Sequence, residues 1–519
     1  YSNNATPFSL NPGAAWGGLV RGPICHGTDL ISFYHRGRGW MTTLKKSFVD
    51  NPLPNLDYLG KSRFLSGRKE KERPPDVEMA QLVMKEFPDF NLDEYHHVRP
   101  GIERVYNSMK RMNKPLGKSV SSEEFIFVEK ALLDLFQYKK FDPVSWEEVA
   151  NSLEPTQVGV YFRGAIPDKR SGGPILCYWA DQLMKTNEYP EIFPLAQVVP
   201  KTEILGDKKY HENRCRVYGI MPGEFQCIEM RYFMRLKQYL LGENLGYGMT
   251  LQHGGIIKLF KSFRKCELVT MGDWSGHDLN IIYLVCVWLN SFLCERVRAS
   301  PEEMERLLHY MYYMVVCYMV LGDGEVFRRY WGNMSGRFLT SIISTLCNLI
   351  QHLIVYHRTF SKFYVEPSVK EVIFHWNRLR KVFFGDDHVL GGEKNPWNEL
   401  YMNEEYRKKE FEKVGASLKA GSFVLQKERS DNITFLGFGV NHENEVYFHD
   451  PYRVLASLIY RNREKDNLSE ILHGQILLFP FNSQMRAFLR AIGARYHITD
   501  LPQDHTIFQL WTGYYPECD

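Results

Sequence analysis

The sequence predicts an α+β protein in which an antiparallel sheet packs on helices. From about residue 195 onward, short apolar runs typical of strands alternate with longer amphipathic patterns typical of helices. Within this region, Lys381–Phe384 and His388–Leu390 are apolar runs joined by a tight Gly-Asp-Asp turn, which predicts two paired antiparallel strands. Upstream, residues 76–165 carry helical periodicity, as in Glu123–Tyr138 after a capping serine.

The composition is that of a folded protein without a strong overall charge. With 44% hydrophobic and 14% aromatic residues, the chain can bury a substantial core. Its 64 basic and 61 acidic residues give a net charge of +3, so any nucleic-acid-binding surface must be local. The ten cysteines show no CxxC spacing and predict buried free thiols in a reducing compartment. We expect no signal peptide and no transmembrane segment, since the most apolar runs, Ile281–Leu289 and Met311–Leu321, are too short to span a membrane and predict buried helices.

The first candidate acidic site follows a predicted strand. Glu267–Met271 is apolar enough to be a buried strand, and Asp273 stands just beyond its end. Asp278 comes five residues later, before a predicted apolar helix that starts at Leu279. A carboxylate is favoured at such a helix N-terminus, and taken alone Asp278 is more often a cap than a ligand.

The second candidate acidic site is the turn at Asp386 and Asp387. A tight turn explains a glycine followed by one aspartate, but two adjacent carboxylates between apolar strands repel unless a cation neutralises them. Hard divalent cations prefer such oxygen ligands. If the strands that carry Asp273 and Asp386 are neighbours, the two carboxylates meet at one end of a sheet, where they could share two cations about 4 Å apart.

The D-x4-D pattern at Asp273 and Asp278, followed by the Gly-Asp-Asp turn, resembles motifs A and C of the right-hand RNA-dependent RNA polymerases of positive-strand RNA viruses, especially the picornavirus-like group. The resemblance extends over residues 165 to 440. It implies that Asp273 and Asp386 bind Mg²⁺, with Mn²⁺ as a substitute, and that Asp387 assists. It also implies that Asp278 helps to recognise the ribose 2′-hydroxyl of the incoming nucleotide.

Residues between these two sites resemble motif B, a Ser-Gly loop that opens a long helix. The resemblance makes Ser335, Gly336 and Thr340 nucleotide-binding residues. Thr340, Ser344 and Asn348 are spaced by four and share one face of the predicted helix. The family's asparagine stands where this chain has Ser344, and Asn348 follows one turn later. Which of the two contacts the sugar is left open.

Further motifs surround these three. Motif F supplies candidate triphosphate-binding cations, and motif G supplies a template-channel loop. A strand over Thr434–Phe438 resembles motif E, which supports the primer terminus. A helix predicted to run to Val414 and to end at Gly415 precedes two candidates for the motif D lysine, which is proposed to protonate the leaving pyrophosphate. The residues are Lys201, Lys209, Arg214 and Arg216 for motif F, Ser171, Gly172, Gly173 and Pro174 for motif G, Phe435, Leu436 and Gly437 for motif E, and Lys419 and Lys427 for motif D.

The resemblance implies an organisation into fingers, palm and a small thumb. We expect an N-terminal extension and fingers over residues 1–225, a palm with a fingers insertion over 226–449, and a thumb over 450–519. The first 70 or so residues have little periodicity and predict an irregular segment. Arg453 lies in the predicted thumb without an assignable role.

The function implied is RNA-directed RNA synthesis in viral genome replication and transcription. Its partners would be template RNA, a primer or product duplex, nucleoside triphosphates, a protein primer and other viral replication proteins, in a replication complex in the host cytoplasm. Two alternatives are a reverse transcriptase or other palm-type DNA polymerase, and a catalytically silent RNA-binding scaffold. The Gly-Asp-Asp turn argues against the first, and the intact pair of mutually repelling carboxylates argues against the second.

Overall fold

The computed structural model describes residues 50–61, 73–98, 100–112, 119–162, 166–185, 194–240, 245–246, 249–426, 433–463 and 466–513. Most of the predicted N-terminal irregular segment and Lys427 lie outside these ranges. None of the described helices combines the length and the apolar character that a transmembrane span requires.

The described residues form fourteen strands and nineteen α-helices, besides two short 3-10 helices at Leu92–Glu94 and Lys110–Met112. The strands are β1 Asp57–Lys61, β2 Tyr95–His96, β3 Leu195–Lys201, β4 Leu205–Gly206, β5 Arg216–Ile220, β6 Leu268–Met271, β7 Tyr318–Val320, β8 Glu325–Arg328, β9 Arg380–Phe384, β10 Asp387–Gly392, β11 Val424–Gln426, β12 Thr434–Phe435, β13 Phe438–Val440 and β14 Val446–Phe448. The helices are α1 Val77–Glu86, α2 Ile102–Met109, α3 Ser122–Leu135, α4 Trp146–Asn151, α5 Gly173–Lys185, α6 Asp207–His211, α7 Gly223–Tyr239, α8 Gly255–Phe263, α9 His277–Asn280, α10 Tyr283–Glu295, α11 Pro301–Val315, α12 Thr340–Phe360, α13 Val369–Arg378, α14 Pro396–Tyr401, α15 Glu404–Glu412, α16 Pro451–Ile459, α17 Leu468–Ile476, α18 Ser483–Arg495 and α19 Asp504–Thr512. This mixture of helices and sheets confirms the predicted α+β class.

A four-stranded antiparallel sheet, which we call the central sheet, carries both candidate acidic sites. Its strand order is β11-β6-β10-β9. The long helix α12 packs against β9, and residues of both belong to one large apolar core. Because β6 and β10 run antiparallel, the end of β6 and the beginning of β10 lie at the same edge of the sheet.

A second sheet has five strands in the order β1-β8-β7-β3-β5. All of its pairs are antiparallel except β3 with β7. Strand β1 lies within the segment that we predicted to be irregular, and this prediction is wrong for Asp57–Lys61. The pairing of β1 with β8 joins residues about 270 positions apart, so no local sequence pattern predicts it.

The C-terminal residues form a second apolar core together with α1, α8 and three valines of the central sheet, Val269, Val382 and Val389. Residues of α16 to α19 and of the sheet β12-β13-β14 pack against residues of α1 and α8. Asp76, which caps α1, also pairs with Arg461 at 3.2 Å and with Arg463 at 2.6 Å. The N-terminal helix is thereby attached to the C-terminal helices.

Four local predictions need correction. The apolar run Met311–Leu321 ends as a helix at Val315 and continues as strand β7. The helix expected from Leu279 is split into α9 and α10, and the one expected to reach Val414 is split into α14 and α15. The strand expected over Thr434–Phe438 is a hairpin, because Leu436 and Gly437 have φ angles of 52° and 84°.

Candidate active site

The Gly-Asp-Asp turn is anchored to helix α12 through its backbone. Gly385 adopts a φ of 60°, a left-handed conformation that glycine adopts without strain. Its N–H donates to Thr345 Oγ1 at 2.8 Å, and its carbonyl accepts from Asn348 Nδ2 at 3.0 Å. The positions of Asp386 and Asp387 are therefore fixed by the sheet on one side and by α12 on the other.

The register of the central sheet places Asp273 beside this turn. Met271 pairs with Val389, so the chain leaves β6 for Asp273 where β10 begins at Asp387. The two candidate acidic sites thus lie at the same edge of neighbouring strands. We call Asp273, Asp386 and Asp387 the carboxylate cluster.

Burial and mutual repulsion perturb the cluster's pKa values. The pKa of Asp386 is raised, first by burial and then by Asp273 and Asp278, while His277 opposes the rise. Burial raises the pKa of Asp387 to about 6, with Asp386 and Asp273 adding to it. Carboxylates that repel each other in a buried setting favour a cation among them.

The chemistry of this donor set suits a hard divalent cation. The side chains as placed hold other partners: Asp273 Oδ2 lies 2.7 Å from Lys419 Nζ, and Asp387 Oδ2 accepts from the Leu436 N–H at 2.8 Å. Within the described ranges, no group of three or more histidine, cysteine, aspartate or glutamate residues has the arrangement of a formed metal site. Reorientation of Asp273 would be needed to complete one.

Of the two candidate motif D lysines, Lys419 lies at the carboxylate cluster, and Lys427 is outside the described residues. The backbone supports the contact, since the Lys419 N–H donates to the Asp273 carbonyl at 2.9 Å. Ser422 Oγ accepts from the Asp273 N–H at 3.0 Å. The loop after α15 therefore places the Lys419 ammonium, which can exchange Asp273 for another partner, next to the Gly-Asp-Asp turn.

The Ser335-Gly336 loop is pressed against strand β5. Gly336 has a φ of 109°, and a Cβ atom there would lie 1.8 Å from the Gly219 carbonyl oxygen, so only glycine fits. The Gly219 N–H donates to the Ser335 carbonyl at 3.0 Å, and Thr340 Oγ1 accepts from the Gly336 N–H at 3.0 Å. Thr340 thus shapes the loop from the first turn of α12.

Ser344 and Asn348 have different surroundings. Asn348 is fully buried, and its Oδ1 accepts from Trp274 Nε1 at 2.9 Å while its Nδ2 donates to Gly385. Ser344 Oγ lies 3.3 Å from His277 Nδ1. Asp278 accepts from the Asn333 N–H at 2.7 Å through its carbonyl, which ties it to the Ser-Gly loop. Asn348 therefore joins the Gly-Asp-Asp turn to Trp274. A ribose contact by Ser344 or by Asn348 stays a prediction.

Two of the four motif F cations, Arg216 and Lys209, converge on one carboxylate. Glu203 lies 3.4 Å from Arg216 and 3.8 Å from Lys209, and Arg453 of α16 approaches it at 3.9 Å. We call these four residues the basic cluster. Burial lowers the pKa of Lys209, and the neighbouring cations, including Lys419, lower it further. The basic cluster therefore adjoins the carboxylate cluster through Lys419.

The remaining predicted residues occupy defined places. Arg214 pairs with Glu212, and Lys201 is exposed at the end of β3. Ser171 donates to Asp168 from both its N–H and its hydroxyl at 2.8 Å, which forms a tight turn. The other motif G and motif E residues lie in three settings: Gly172 in that turn, Gly173 and Pro174 in the first turn of α5, and Phe435, Leu436 and Gly437 in the β12-β13 hairpin.

Sequence reasoning missed residues whose roles depend on distant contacts. Glu203 lies in the motif F segment but was not among its predicted residues, Arg453 had no assignable role, and Arg407 was not predicted. No local signal marks Arg407, which stands in a charged helical segment, although it is fully buried beneath the central sheet.

Comparison with known proteins identifies the family. A family model described as viral RNA-dependent RNA polymerase matches residues 179–483, more than half of the chain. The chain belongs to this family. The predicted membership of the viral RNA-dependent RNA polymerases is thereby confirmed, and the reverse transcriptase and silent-scaffold alternatives are not favoured.

Curated relatives of this polymerase chain include astrovirus proteins. The Non-structural polyprotein 1AB of Human astrovirus-5 is 23% identical over 317 residues, which cover 56% of this chain and 21% of the relative. That of Mink astrovirus 1 is 28% identical over 134 residues, which cover 24% of this chain and 9% of the relative. The match to Human astrovirus-5 thus spans about a fifth of that relative's length.

Proposed function

We propose that this chain catalyses template-directed transfer of nucleotides from nucleoside triphosphates to the 3′-hydroxyl of an RNA strand. The observation that carries the proposal is the placement of Asp273 and the Gly-Asp-Asp turn at one edge of the paired strands β6 and β10, in a chain of the viral RNA-dependent RNA polymerase family. Dependence on divalent metal ions is typical of this family.

In this proposal Asp273 and Asp386 hold two Mg²⁺ ions, or Mn²⁺ ions in their place, and Asp387 assists. Bound there, the ions would activate the 3′-hydroxyl and neutralise the leaving pyrophosphate. Lys419 has two roles: its ammonium pairs with Asp273 before substrate arrives, and afterwards it is the proton donor to pyrophosphate. The supporting observations are the ion pair of Lys419 with Asp273 and the effect of the Lys419 charge, which lowers the pKa of Lys209.

The incoming triphosphate would lie against the basic cluster. Arg216 is the strongest candidate contact, because a guanidinium stays charged and grips phosphate oxygens with two donors. Lys201, Lys209 and Arg214 add positive charge. On the sugar side, Asp278, Ser335, Gly336 and Thr340, together with Ser344 or Asn348, would recognise the nucleotide. In such a reaction the protein mainly positions reactants and neutralises charge.

We assign the central sheet and α12 to a palm, the five-stranded sheet and its helices to fingers, and α16–α19 to a small thumb. Template would enter past Ser171–Pro174, and the β12-β13 hairpin with Phe435–Gly437 would support the primer terminus. The hydrogen bond from Leu436 to Asp387 supports this placement, since it brings the hairpin to the carboxylate cluster.

The proposed partners are template RNA, a primer or product duplex, nucleoside triphosphates, a protein primer and other viral replication proteins. The proposed setting is a replication complex in the host cytoplasm. A short thumb suits a primed duplex, and efficient initiation on an unprimed linear template would contradict this part of the proposal.

The test is incorporation of labelled nucleotide on defined RNA templates, with and without primer, in Mg²⁺ or Mn²⁺. We expect the parental chain to extend primers with NTPs in preference to dNTPs. The Asp386→Ala variant should retain RNA binding but extend at less than about one-thousandth of the parental rate, because a metal ligand is lost. Extension by Asp386→Ala at the parental rate would refute the mechanism, and no extension by the folded parental chain would refute the function.

A further inference from the structure

Arg407 of helix α15 is a fully buried arginine beneath the central sheet. Burial lowers its pKa to about 10. In the part of the chain that the structure describes, its polar contacts are one hydroxyl and two imidazoles rather than a carboxylate, and its Nε atom has no hydrogen-bond partner. A buried cation without a counter-ion costs stability, and the rings of Trp274, Tyr401, Phe411 and Phe423, at 5.2–5.9 Å from the guanidinium carbon, offset part of this cost.

The guanidinium joins the two strands that carry the carboxylate cluster. Its Nη1 donates to Thr270 Oγ1 of β6 at 3.1 Å, and its Nη2 donates to His388 Nε2 of β10 at 3.0 Å. Thr270 stands three residues before Asp273, and His388 stands two residues after Asp386. Thr270 Oγ1 also donates to the Val424 carbonyl at 3.0 Å, which brings in strand β11.

Donor chemistry determines where the proton of His388 resides. A guanidinium can only donate hydrogen bonds, so His388 Nε2 must accept. A neutral imidazole that accepts at Nε2 carries its proton on Nδ1. His388 Nδ1 lies 3.4 Å from the Asp386 carbonyl oxygen and can donate to it. Arg407 therefore orients the histidine so that its second nitrogen supports the backbone of Asp386.

An aromatic contact also holds the same histidine. The His388 ring stacks on Trp274, with ring centroids 5.0 Å apart and planes at 20°. Trp274 directly follows Asp273 and donates from Nε1 to Asn348, which in turn bonds to Gly385. The network thus runs from Arg407 through His388 to the Asp386 carbonyl, and from His388 through Trp274 and Asn348 to the Gly385 carbonyl.

From this network we infer that Arg407 is a positioning residue, which sets the spacing between Asp273 and Asp386 through Thr270 and His388. The inference rests on the proposed two-metal function of those carboxylates. Groups that support metal ligands in this manner typically change metal affinity by about 10- to 100-fold when they are removed. Loss of Arg407 should therefore weaken binding of divalent cations more than it weakens the fold.

The principal test compares Arg407→Met with the parental chain by titrating Mn²⁺ and following its electron paramagnetic resonance signal. Methionine keeps an unbranched apolar stem but cannot donate. We expect Mn²⁺ binding to weaken about 10-fold, with a melting temperature close to the parental one, because removal of a buried charge without a counter-ion offsets the loss of its hydrogen bonds. In primer extension, the Mg²⁺ concentration for half-maximal rate should rise by a similar factor, while the NTP KM at saturating Mg²⁺ stays the same.

A matched control is Arg486→Met. Arg486 is also buried, but it lies in α18 and binds Asp504 and the Phe479 carbonyl, far along the chain from β6 and β10. This variant should lose melting temperature because Asp504 keeps only Arg490 as a partner and the Phe479 carbonyl loses its donor, and it should keep the parental Mn²⁺ affinity. If Arg407→Met binds Mn²⁺ as tightly as the parental chain, the inference is wrong.

A pair of substitutions at His388 tests the inference without touching the arginine. In His388→Asn the amide nitrogen replaces Nδ1 and can still donate to the Asp386 carbonyl. In His388→Gln the amide lies nearer the position of Nε2 and can satisfy Arg407 but not Asp386. We expect His388→Asn to keep more Mn²⁺ affinity than His388→Gln, and equal or reversed affinities would contradict the network.

The outcomes separate this inference from the proposed function. If the folded parental chain neither binds Mn²⁺ nor incorporates nucleotides, the proposed function itself fails. If the parental chain does both and Arg407→Met matches it in Mn²⁺ affinity and Mg²⁺ dependence, only the role of Arg407 fails.

Discussion

The carboxylate cluster and the basic cluster adjoin each other through Lys419, yet they are held in different ways. Asp386 and Asp387 sit on a turn whose backbone is bonded to α12 and flanked by paired strands. Arg216 and Lys209 project from separate elements, with 60% and 41% of their side chains exposed, and share the single carboxylate of Glu203.

The difference indicates how each cluster works. Metal ligands must keep a fixed spacing, which paired strands and a buried network supply. A triphosphate arrives and leaves in each cycle, which suits exposed cations that can exchange Glu203 for phosphate oxygens. Substitutions in the carboxylate cluster should therefore abolish activity, whereas those in the basic cluster should reduce it by degrees.

The largest expected effect is that of Asp273→Asn. The amide has the shape of the carboxylate but binds a divalent cation poorly, and Lys419 also loses its ion pair. We expect the rate of incorporation at saturating NTP to fall by at least about 1,000-fold, with RNA affinity within about twofold of the parental value. Single-turnover primer extension measures the rate, and a loss below tenfold would show that Asp273 is not a metal ligand.

The next effect concerns the support of the turn. Asn348→Ala leaves Trp274 Nε1 and the Gly385 carbonyl without their partner in a buried place. We expect the free energy of unfolding to fall by about 2–4 kcal/mol, measured by urea denaturation. Ser341→Ala on the exposed face of α12 is the control and should change it by less than about 0.5 kcal/mol.

A graded effect is expected for Arg216. Arg216→Ala should raise the NTP KM about 10- to 100-fold, since a charge-assisted bond to phosphate is lost. Arg216→Lys should recover part of this loss by restoring charge without the bidentate fork. Steady-state kinetics at several salt concentrations would measure both. A fall in maximal rate as large as that of Asp273→Asn would instead place Arg216 with the metal ligands.

The smallest expected effect concerns Glu224, a carboxyl whose pKa is raised by burial and not by a neighbouring carboxylate as in the carboxylate cluster. Glu224 is fully buried, and burial raises its pKa to about 8, with Lys169 opposing the rise. Because this pKa lies above the unfolded value, the residue's contribution to stability is full at acidic pH and is lost as pH rises toward 8. Glu224→Gln should therefore gain stability relative to the parental chain progressively as pH rises from 5 to 8. Melting temperatures measured across this range would show the trend, and a constant difference would contradict it.

Much of the candidate site could be predicted because its signals are local. Gly385, Asp386 and Asp387 stand between two apolar runs, and Asp273 follows a third. The ends of the strands and the turn can therefore be predicted from the local sequence. The start of α3 was equally local, with Ser121 and Glu124 forming a capping box. The family resemblance then supplied the pairing of distant segments.

The other features of the fold and the site depend on contacts between residues that are far apart in the sequence, so no short sequence segment predicts them. The run Met311–Leu321 is apolar throughout, so its change from helix to strand has no periodic signal. Strand β1 forms because it pairs with β8 at the edge of the five-stranded sheet. Arg407 looks like a solvated residue among glutamates and lysines, and only the tertiary fold places it under His388.

The central claim is that Asp273 and Asp386 share divalent cations. It is tested most directly by a crystal structure with RNA, a non-hydrolysable NTP analogue and Mn²⁺, using anomalous scattering to locate the ions. The account predicts two Mn²⁺ peaks about 4 Å apart, bridged by oxygens of Asp273 and Asp386, with Lys419 released from Asp273. Mn²⁺ bound to only one of these carboxylates, with the other still paired to protein, would contradict it.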